Sequence, residues 1–207
     1  DKDFAVSALA LAALLAQESD PQGALVRGLS DPDPQVRALA ANALNFLGGP
    51  EQTPRLVQAL NDPSPKVRAF AANALGFFCY EQAVEPLIQA LHDPDLQVVA
   101  FAALSLGFLL DERAVEPLVG VLGSTDSEAR AFAAVALGFI GDGHAVTPLI
   151  GALGDDSEWV RAYAAEALGR IGHPDAIPHL KELLRTEVSF QVLSSARQAL
   201  ERIELQQ

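Results

Sequence analysis

The sequence predicts an all-α fold, a right-handed αα superhelix of about six and a half helical hairpins, each 31 residues long. The first observation is a Val-Arg pair, or a close variant of it, that recurs every 31 residues. The second is a leucine that follows each pair in the same register. The third is a segment rich in Asp, Pro and Ser, typical of turns, that precedes each pair. The pairs are Val36-Arg37, Val67-Arg68, Val98-Val99, Ala129-Arg130 and Val160-Arg161, and the leucines are Leu44, Leu75, Leu106, Leu137 and Leu168.

Each repeat divides into two predicted helices of different character. The first helix is short and of the EPLIQAL type, as at 85–91, 116–122 and 147–153, and the second resembles VRAFAANALGF. Asp and Ser before a helix favour N-capping, and the glycines of LGGP, IGDG and IGHP favour the left-handed conformation that ends a helix. We therefore expect one domain over residues 1–207, with about thirteen helices and almost no strand.

The two ends of the array depart from the repeat. Residues 4–17 match a second helix without a first-helix partner, and they are apolar around nearly the whole circumference. Such a helix buries its surface, so we expect missing sequence, a partner chain or a second copy of this chain to cover it. Residues 187–207 are more polar and predict a C-terminal capping helix, which repeat arrays need for solubility.

Composition narrows the classes of partner. The chain has 207 residues, half of them hydrophobic, and a formal net charge of −13. An acidic chain binds poorly to the phosphates of nucleic acid and to an anionic membrane surface, so neither is expected as a partner. The lone cysteine, Cys79, cannot form an internal disulfide, and the sequence contains no run of eighteen apolar residues. We therefore expect a cytoplasmic protein.

Segments such as DERAVEPLVGVLGSTDSEARAFAAVALGFIGD (111–142) resemble the phycobilisome-lyase-type HEAT-like repeat. The resemblance covers almost the whole chain and implies an α-solenoid whose second helices line the concave side. It also implies a ladder of Asp–Arg pairs between repeats. Val99 stands where the arginine is expected, and Ser124 replaces the aspartate of the other repeats. We therefore expect the ladder to be interrupted around the third and fourth repeats.

A helical wheel of the second helix separates a core stripe from an aromatic flank. Val67, Ala71, Ala74, Leu75 and Phe78 share the core stripe at 100° per residue. The first alanine and the glycine of AFAANALG lie opposite this stripe. Phe70, within this segment, and Phe77, directly after it, lie together on one flank of the helix, beside the core stripe.

The aromatic flank recurs in every repeat and forms three rows of residues. Seven of the ten phenylalanines belong to two of these rows. In the family that the sequence resembles, these positions face the ligand, so all of them are predicted partner-binding residues. The first row is Leu39, Phe70, Phe101, Phe132 and Tyr163, the second row is Phe46, Phe77, Phe108, Phe139 and Arg170, and the middle row is Asn42, Asn73, Leu104, Val135 and Glu166.

Two interpretations of the rows remain open at this stage. In one, the rings line an apolar groove floored by Ala38, Ala69, Ala100, Ala131 and Ala162, and an exposed strip of that size requires a partner. In the other, each ring packs on the Ala/Gly flank of the next second helix, and the rows are a structural ladder. A mixture, with rings that contact the neighbour and show one face, is also expected.

The sequence predicts no catalytic residue and no metal site. Cys79 lies at a helix end, where the helix dipole disfavours a thiolate, and we interpret it as structural. His173 and His179 are six residues apart, which is not the spacing of a helical metal pair. Glu166 and Arg170 are spaced to pair along their helix.

Three functions compete on this evidence. The first is a non-enzymatic scaffold that binds a protein partner through the apolar, aromatic rows and needs no cofactor. The alternative, which only the family resemblance and the aromatic rows support, is a bilin lyase or lyase-like chaperone subunit that holds a tetrapyrrole for attachment to a biliprotein. The third is a homo-oligomer that associates through the same rows.

Overall fold

A computed structural model describes residues 20–77 and 81–206 of the protein. These residues form twelve α-helices and four short turns of 3₁₀ helix, and no strand occurs among them. The predicted helix 4–17, Phe78 and Cys79 lie outside the described residues. The helices are α1 (Pro21–Gly28), α2 (Pro34–Leu47), α3 (Thr53–Ala59), α4 (Pro65–Phe77), α5 (Val84–Ala90), α6 (Leu96–Leu109), α7 (Val115–Val121), α8 (Ser127–Ile140), α9 (Val146–Ala152), α10 (Glu158–Ile171), α11 (Ala176–Thr186) and α12 (Phe190–Leu205).

The chain divides into two compact units, Asp1–Ser105 and Leu106–Gln207. Within its described part, the first unit contains α1 to α5 and most of α6. The second contains the end of α6 and α7 to α12. Short and long helices alternate in both units, as the repeat predicts, until α11 and α12 end the array. The prediction of a single domain stays a prediction.

Capping residues fix where the helices begin and end. The carboxylate of Asp33 accepts the backbone N–H of Gln35 at 2.9 Å, at the start of α2, and Asp126 caps α8 in the same way. Gly141 and Gly172 follow α8 and α10 in the left-handed conformation, with φ of 78° and 77°. A glycine adopts this conformation without strain, so these two helices end as the sequence predicts. The capping helix begins at Phe190 rather than at the predicted 187, after a turn in which Glu187 accepts the N–H groups of Val188 and Ser189.

One leucine from each helix of a hairpin forms the core. Full burial of a leucine side chain contributes about 1.5–3 kcal/mol, so these two series supply much of the stability of each hairpin. The predicted core residues Val67, Ala71, Ala74 and Leu75 are all buried. The fully buried leucines are Leu25, Leu56, Leu87, Leu118, Leu149 and Leu180 of the first helices and Leu44, Leu75, Leu106, Leu137 and Leu168 of the second helices.

The face opposite the core stripe is also buried, which corrects the wheel. Ala69 is 1% exposed and Gly76 is buried. The reason is that consecutive second helices pack directly on each other through small residues. A Cβ on Gly76 would stand 2.7 Å from the Cα of Ser105, and a Cβ on Gly138 would stand 2.7 Å from the Cα of Ala167. Glycine is therefore required there by close approach of two backbones.

Bidentate ion pairs connect consecutive repeats within each unit. Each arginine of the ladder also donates to the backbone carbonyl six residues before it. Val99 carries no guanidinium and Ser124 no carboxylate, and the interruption of the ladder around the third and fourth repeats stays a prediction. The four pairs are Arg37–Asp62, Arg68–Asp93 and Arg130–Asp155 at 2.7 Å and Arg161–Glu187 at 2.6 Å.

Hydrogen bonds from the arginines stabilise the ionised carboxylates of this ladder. Burial disfavours the charge on Asp93, but the hydrogen bonds from Arg68 and from the backbone N–H of Asp95 outweigh it, so the pKa of Asp93 lies below its usual value. Hydrogen bonds from Arg161 and from the backbone N–H groups of Ser189 and Val188 likewise lower the pKa of Glu187 from 4.5 to about 2.

Candidate partner-binding surface

The second row provides the most exposed aromatic rings of the predicted rows. Phe46 is 72% exposed, Phe77 is 55% exposed and Phe108 is 37% exposed, and all three lie in the last turn of their helices. In the first unit the ring centroids of Phe46 and Phe77 are 6.4 Å apart. In the second unit those of Phe108 and Phe139 are 5.7 Å apart. We call these two pairs the ring pairs.

The ring pairs combine the two interpretations of the rows. Within each pair the ring of one repeat contacts the ring of the next, as a structural ladder requires, and Phe139 also lies against Gly107. At the same time, Phe46, Phe77 and Phe108 keep a large exposed area. The expected mixture therefore describes the second row: the rings contact their neighbours and show one face to solvent.

The first and middle rows are less exposed than the second. Each of their ten residues is half-buried, from Leu39 and Asn42 in α2 to Tyr163 and Glu166 in α10. The five alanines of the predicted groove floor are buried. Whether the three rows bind a partner and line a concave groove, and whether they continue from one unit to the other, stays a prediction.

In the second unit, the aromatic rings of the second row give way to a charged residue, Arg170. The guanidinium carbon of Arg170 lies 4.8 Å from the centroid of the Phe139 ring. Arg170 also donates to the carboxylate of Glu166 at 2.9 Å, which is the pairing along the helix that the sequence predicts. The aromatic ring, the cation and the carboxylate form one connected group.

Leu110 is an exposed residue that the sequence analysis missed. It is 60% exposed and has a φ of 56°, which is the left-handed region. Its position in the repeat is that of Gly141 and Gly172, where glycine adopts the same conformation without strain. A leucine in a position that favours glycine, two residues after Phe108, was the available signal. Leu47, which follows Phe46, is exposed as well.

A second group of exposed apolar residues lies at the N-terminal ends of the second helices. Trp159 is 50% exposed, and Leu96, Val188 and Phe190 are also exposed. In the second unit, α8 and α10 enclose a cavity of about 210 Å³ lined by residues that include Glu128, Phe132, Trp159 and Tyr163. Sequence reasoning missed Trp159 because it follows the turn segment GDDSE. The signal was its spacing of four residues from Tyr163.

A family model described as HEAT repeats matches residues 1–61, 53–138 and 120–201. The chain belongs to the HEAT-repeat family. The resemblance noted in the sequence is thus confirmed, and the fold is that of a repeat solenoid. No curated protein matches the sequence significantly.

Solved structures share the architecture of this HEAT-repeat protein. An engineered protein is 25% identical with a TM-score of 0.70, over 90% of this chain and 97% of that one. A chain of the CpcE–CpcF complex of phycocyanin lyase from Nostoc sp. PCC7120 is 22% identical with a TM-score of 0.66, over 90% and 97%. A designed armadillo repeat protein in complex with the peptide (KR)4 is 24% identical with a TM-score of 0.65, over 86% and 98%.

The described part of the HEAT-repeat protein offers ion pairs rather than a metal centre. No group of three or more His, Cys, Asp or Glu residues within 20–77 and 81–206 is arranged to hold a metal ion. His144 contacts Asp142 at 2.7 Å, and His173 approaches Asp175 at 3.7 Å, both at the surface. None of the helices in these ranges has the length and apolar character needed to cross a membrane.

Proposed function

We propose that this HEAT-repeat protein is a non-enzymatic interaction module that binds a protein partner through its ring pairs. A repeat solenoid is a scaffold suited to protein interaction. The observation that carries the finer assignment is the exposure of Phe46 and Phe77, whose rings lie side by side in the first unit while keeping most of their area in solvent. The proposal requires no cofactor.

Side-by-side exposed rings have the properties of a binding anchor. Phe46 and Phe77 each keep apolar area that a partner removes from water, and aromatic side chains dominate interface energetics. Contact with the neighbouring ring restricts each side chain before binding, so less conformational entropy is lost when the partner arrives. A partner with an apolar segment therefore gains most at these positions.

Leu110 supports an apolar partner for the second unit. Left-handed backbone costs an ordinary residue about 1–2 kcal/mol relative to glycine. Full burial does not offset this cost at Leu110, because the residue is 60% exposed. Strained residues cluster at binding sites, where the surrounding structure holds them. Phe108, Leu110 and Phe139 then form the apolar contact of this unit, and Arg170 with Glu166 orients the partner.

The test replaces Phe77 with a photo-cross-linking benzophenone amino acid in the full chain. The protein that this variant captures in cells is identified and purified. Calorimetry then measures the Kd of its complex with the full chain. We expect the Phe46→Ala/Phe77→Ala variant to bind about 30-fold more weakly, which corresponds to the 2 kcal/mol of an aromatic hot spot. Val188→Ala is the matched control, since Val188 is exposed but lies at the opposite end of its hairpin.

Three results would contradict the proposal in different ways. Equal affinity of the double variant and Val188→Ala would exclude the ring pairs from the interface. Capture of the chain itself, with a mass that doubles with concentration in light scattering, would identify homo-oligomerisation instead. An absorption change of added phycocyanobilin that the double variant abolishes would favour the bilin alternative.

A further inference from the structure

An aromatic pocket with a free carboxylate lies between two second helices of the second unit. Glu128 and Phe132 are one turn apart on α8, and Trp159 and Tyr163 are one turn apart on α10. The centroids of the Trp159 and Tyr163 rings are 6.1 Å apart. These four side chains line the cavity together with the buried Ala131. Two helices thus present an aromatic and acidic surface to one opening.

The size of the pocket suits one side chain. Its volume is about 210 Å³, below the roughly 300–1,000 Å³ of pockets that enclose a whole small-molecule ligand. Trp159 is half exposed at the rim, so the pocket opens to solvent and accepts a side chain that projects from a larger molecule.

The free charge of the pocket is negative. The Glu128 carboxylate makes no hydrogen bond and no ion pair with any described residue. The two arginines nearest to it along these helices are already paired, Arg130 with Asp155 and Arg161 with Glu187. Among the residues that the structure describes, no basic side chain lines the cavity, and the whole chain carries a net charge of −13. A cationic occupant is therefore complementary to the site.

The same unit already contains an arginine held in this way. Arg170 stacks on Phe139 and donates to the Glu166 carboxylate one turn before it. The pocket offers the same two partners, an aromatic face and a carboxylate, with no arginine of its own. A guanidinium group stacks on aromatic rings and donates to a carboxylate at the same time, which a trimethylated ammonium cannot do.

We propose that this pocket binds the guanidinium group of an arginine on the partner protein, which stacks on the Trp159, Tyr163 and Phe132 rings and donates to Glu128. The inference rests on the proposed function, because the arginine belongs to the partner bound by the ring pairs. It adds a cationic contact to the apolar one and predicts that the partner carries an arginine outside its apolar segment.

The test titrates the full chain with the capped tripeptide acetyl-Gly-Arg-Gly-amide. Trp159 is the single tryptophan of the sequence, so its indole N–H gives one identifiable NMR signal at the pocket. We expect this signal to shift with saturation, and the citrulline peptide, which replaces the guanidinium with a neutral group of the same shape, to produce no saturable shift. Glu128→Gln, an exposed isosteric change, is expected to weaken binding about threefold, and Phe132→Ala about fivefold.

Leu205→Ala is the control variant, because Leu205 is exposed at the C-terminal end of α12 and does not line the cavity, and it is expected to leave the titration unchanged. Equal binding of the arginine and citrulline peptides would overturn the proposal, as would tighter binding of a trimethyllysine peptide, which cannot donate to Glu128. The titration contains no partner protein, so its failure leaves the ring-pair proposal standing. If Phe46→Ala/Phe77→Ala binds the partner as tightly as the unchanged chain does, the ring-pair proposal fails. The result of the peptide titration is not affected by that outcome.

Discussion

Two identical substitutions in the second unit should change stability in opposite directions. Gly138 lies in α8 and Gly151 in the neighbouring α9, both within helices. A Cβ at Gly138 would meet the Cα and Cβ of Ala167 at 2.7 Å, whereas a Cβ at Gly151 would meet no atom within 4 Å. Gly138→Ala and Gly151→Ala therefore differ in whether a neighbouring backbone stands in the way of the added methyl group.

The expected magnitudes follow from two competing terms. Replacing glycine by alanine inside a helix stabilises by up to about 1 kcal/mol. At Gly151 this term acts alone, and since the position is near the helix end we expect a gain of about 0.5 kcal/mol. At Gly138 the added methyl forces α8 and α10 apart, and overpacking costs about 1–3 kcal/mol. The upper end applies because a backbone moves less easily than a side chain, so the net loss is about 2 kcal/mol.

Urea unfolding followed by Trp159 fluorescence measures both effects in one assay. Trp159 lies on α10, the helix that Gly138 contacts, so its signal reports this helix pair. Because repeat arrays need not unfold in one step, the midpoint of the Trp159 transition is the quantity to compare. If Gly138→Ala raises that midpoint as much as Gly151→Ala does, the close approach of the two helices described above is wrong.

Three other predictions concern single features of the repeats. Hydrogen bonds from Arg161 and from the backbone N–H groups of Ser189 and Val188 lower the pKa of Glu187 from 4.5 to about 2, so the ionised carboxylate contributes roughly 3 kcal/mol above pH 4.5. That contribution is lost as the pH falls towards 2, and the acid sensitivity of unfolding should shrink in Glu187→Gln. Leu110→Gly should stabilise by about 0.5–1 kcal/mol in thermal unfolding, because relief of left-handed strain exceeds the entropy cost of glycine. Asp93→Ala should destabilise by about 2–3 kcal/mol in urea unfolding, because Arg68 is left without its bidentate partner.

The period of the sequence was sufficient to predict the helices and the left-handed glycines after α8 and α10, but not the ends of α2 and α6, where Gly48 is extended with a φ of −80° and Leu110 stands in the glycine position. A leucine every 31 residues, with aspartate before and glycine after the long helix, specifies a hairpin through local rules alone. The lack of a charged residue at Val99 and Ser124 was equally visible, and it predicts an interrupted ladder because an ion pair needs two charged residues.

Contacts between second helices could not be predicted from one helix. A wheel assigns Ala69 and Gly76 to the face opposite the core, but their burial depends on the next helix, which approaches closely enough to exclude a Cβ. The graded exposure of the second row has the same origin. Phe139 is half-buried because Phe108 and Arg170 contact it, whereas Phe46, whose ring contacts that of Phe77, is 72% exposed.

The pocket at Trp159 was missed for a different reason. Its side chains come from two helices, and each pair is an ordinary spacing of four residues that many solvent-facing helices contain. Only the packing of α8 on α10 brings Glu128 and Phe132 opposite Trp159 and Tyr163. Sequence patterns within one helix carry no information on that pairing.

The most direct test of the central claim is hydroxyl-radical footprinting of the unmodified chain. The footprint is compared between the free chain and its non-covalent complex with the partner that the cross-linking experiment identifies. In the free chain, side-chain reactivity should fall in the order Phe46, Phe77, Phe108, following their exposures of 72%, 55% and 37%. In the complex, Phe46 and Phe77 should lose most of their reactivity while Phe190, exposed at the opposite end of its hairpin, keeps its own. Unchanged reactivity of Phe46 and Phe77 in a fully formed complex would show that the ring pairs are not the binding surface.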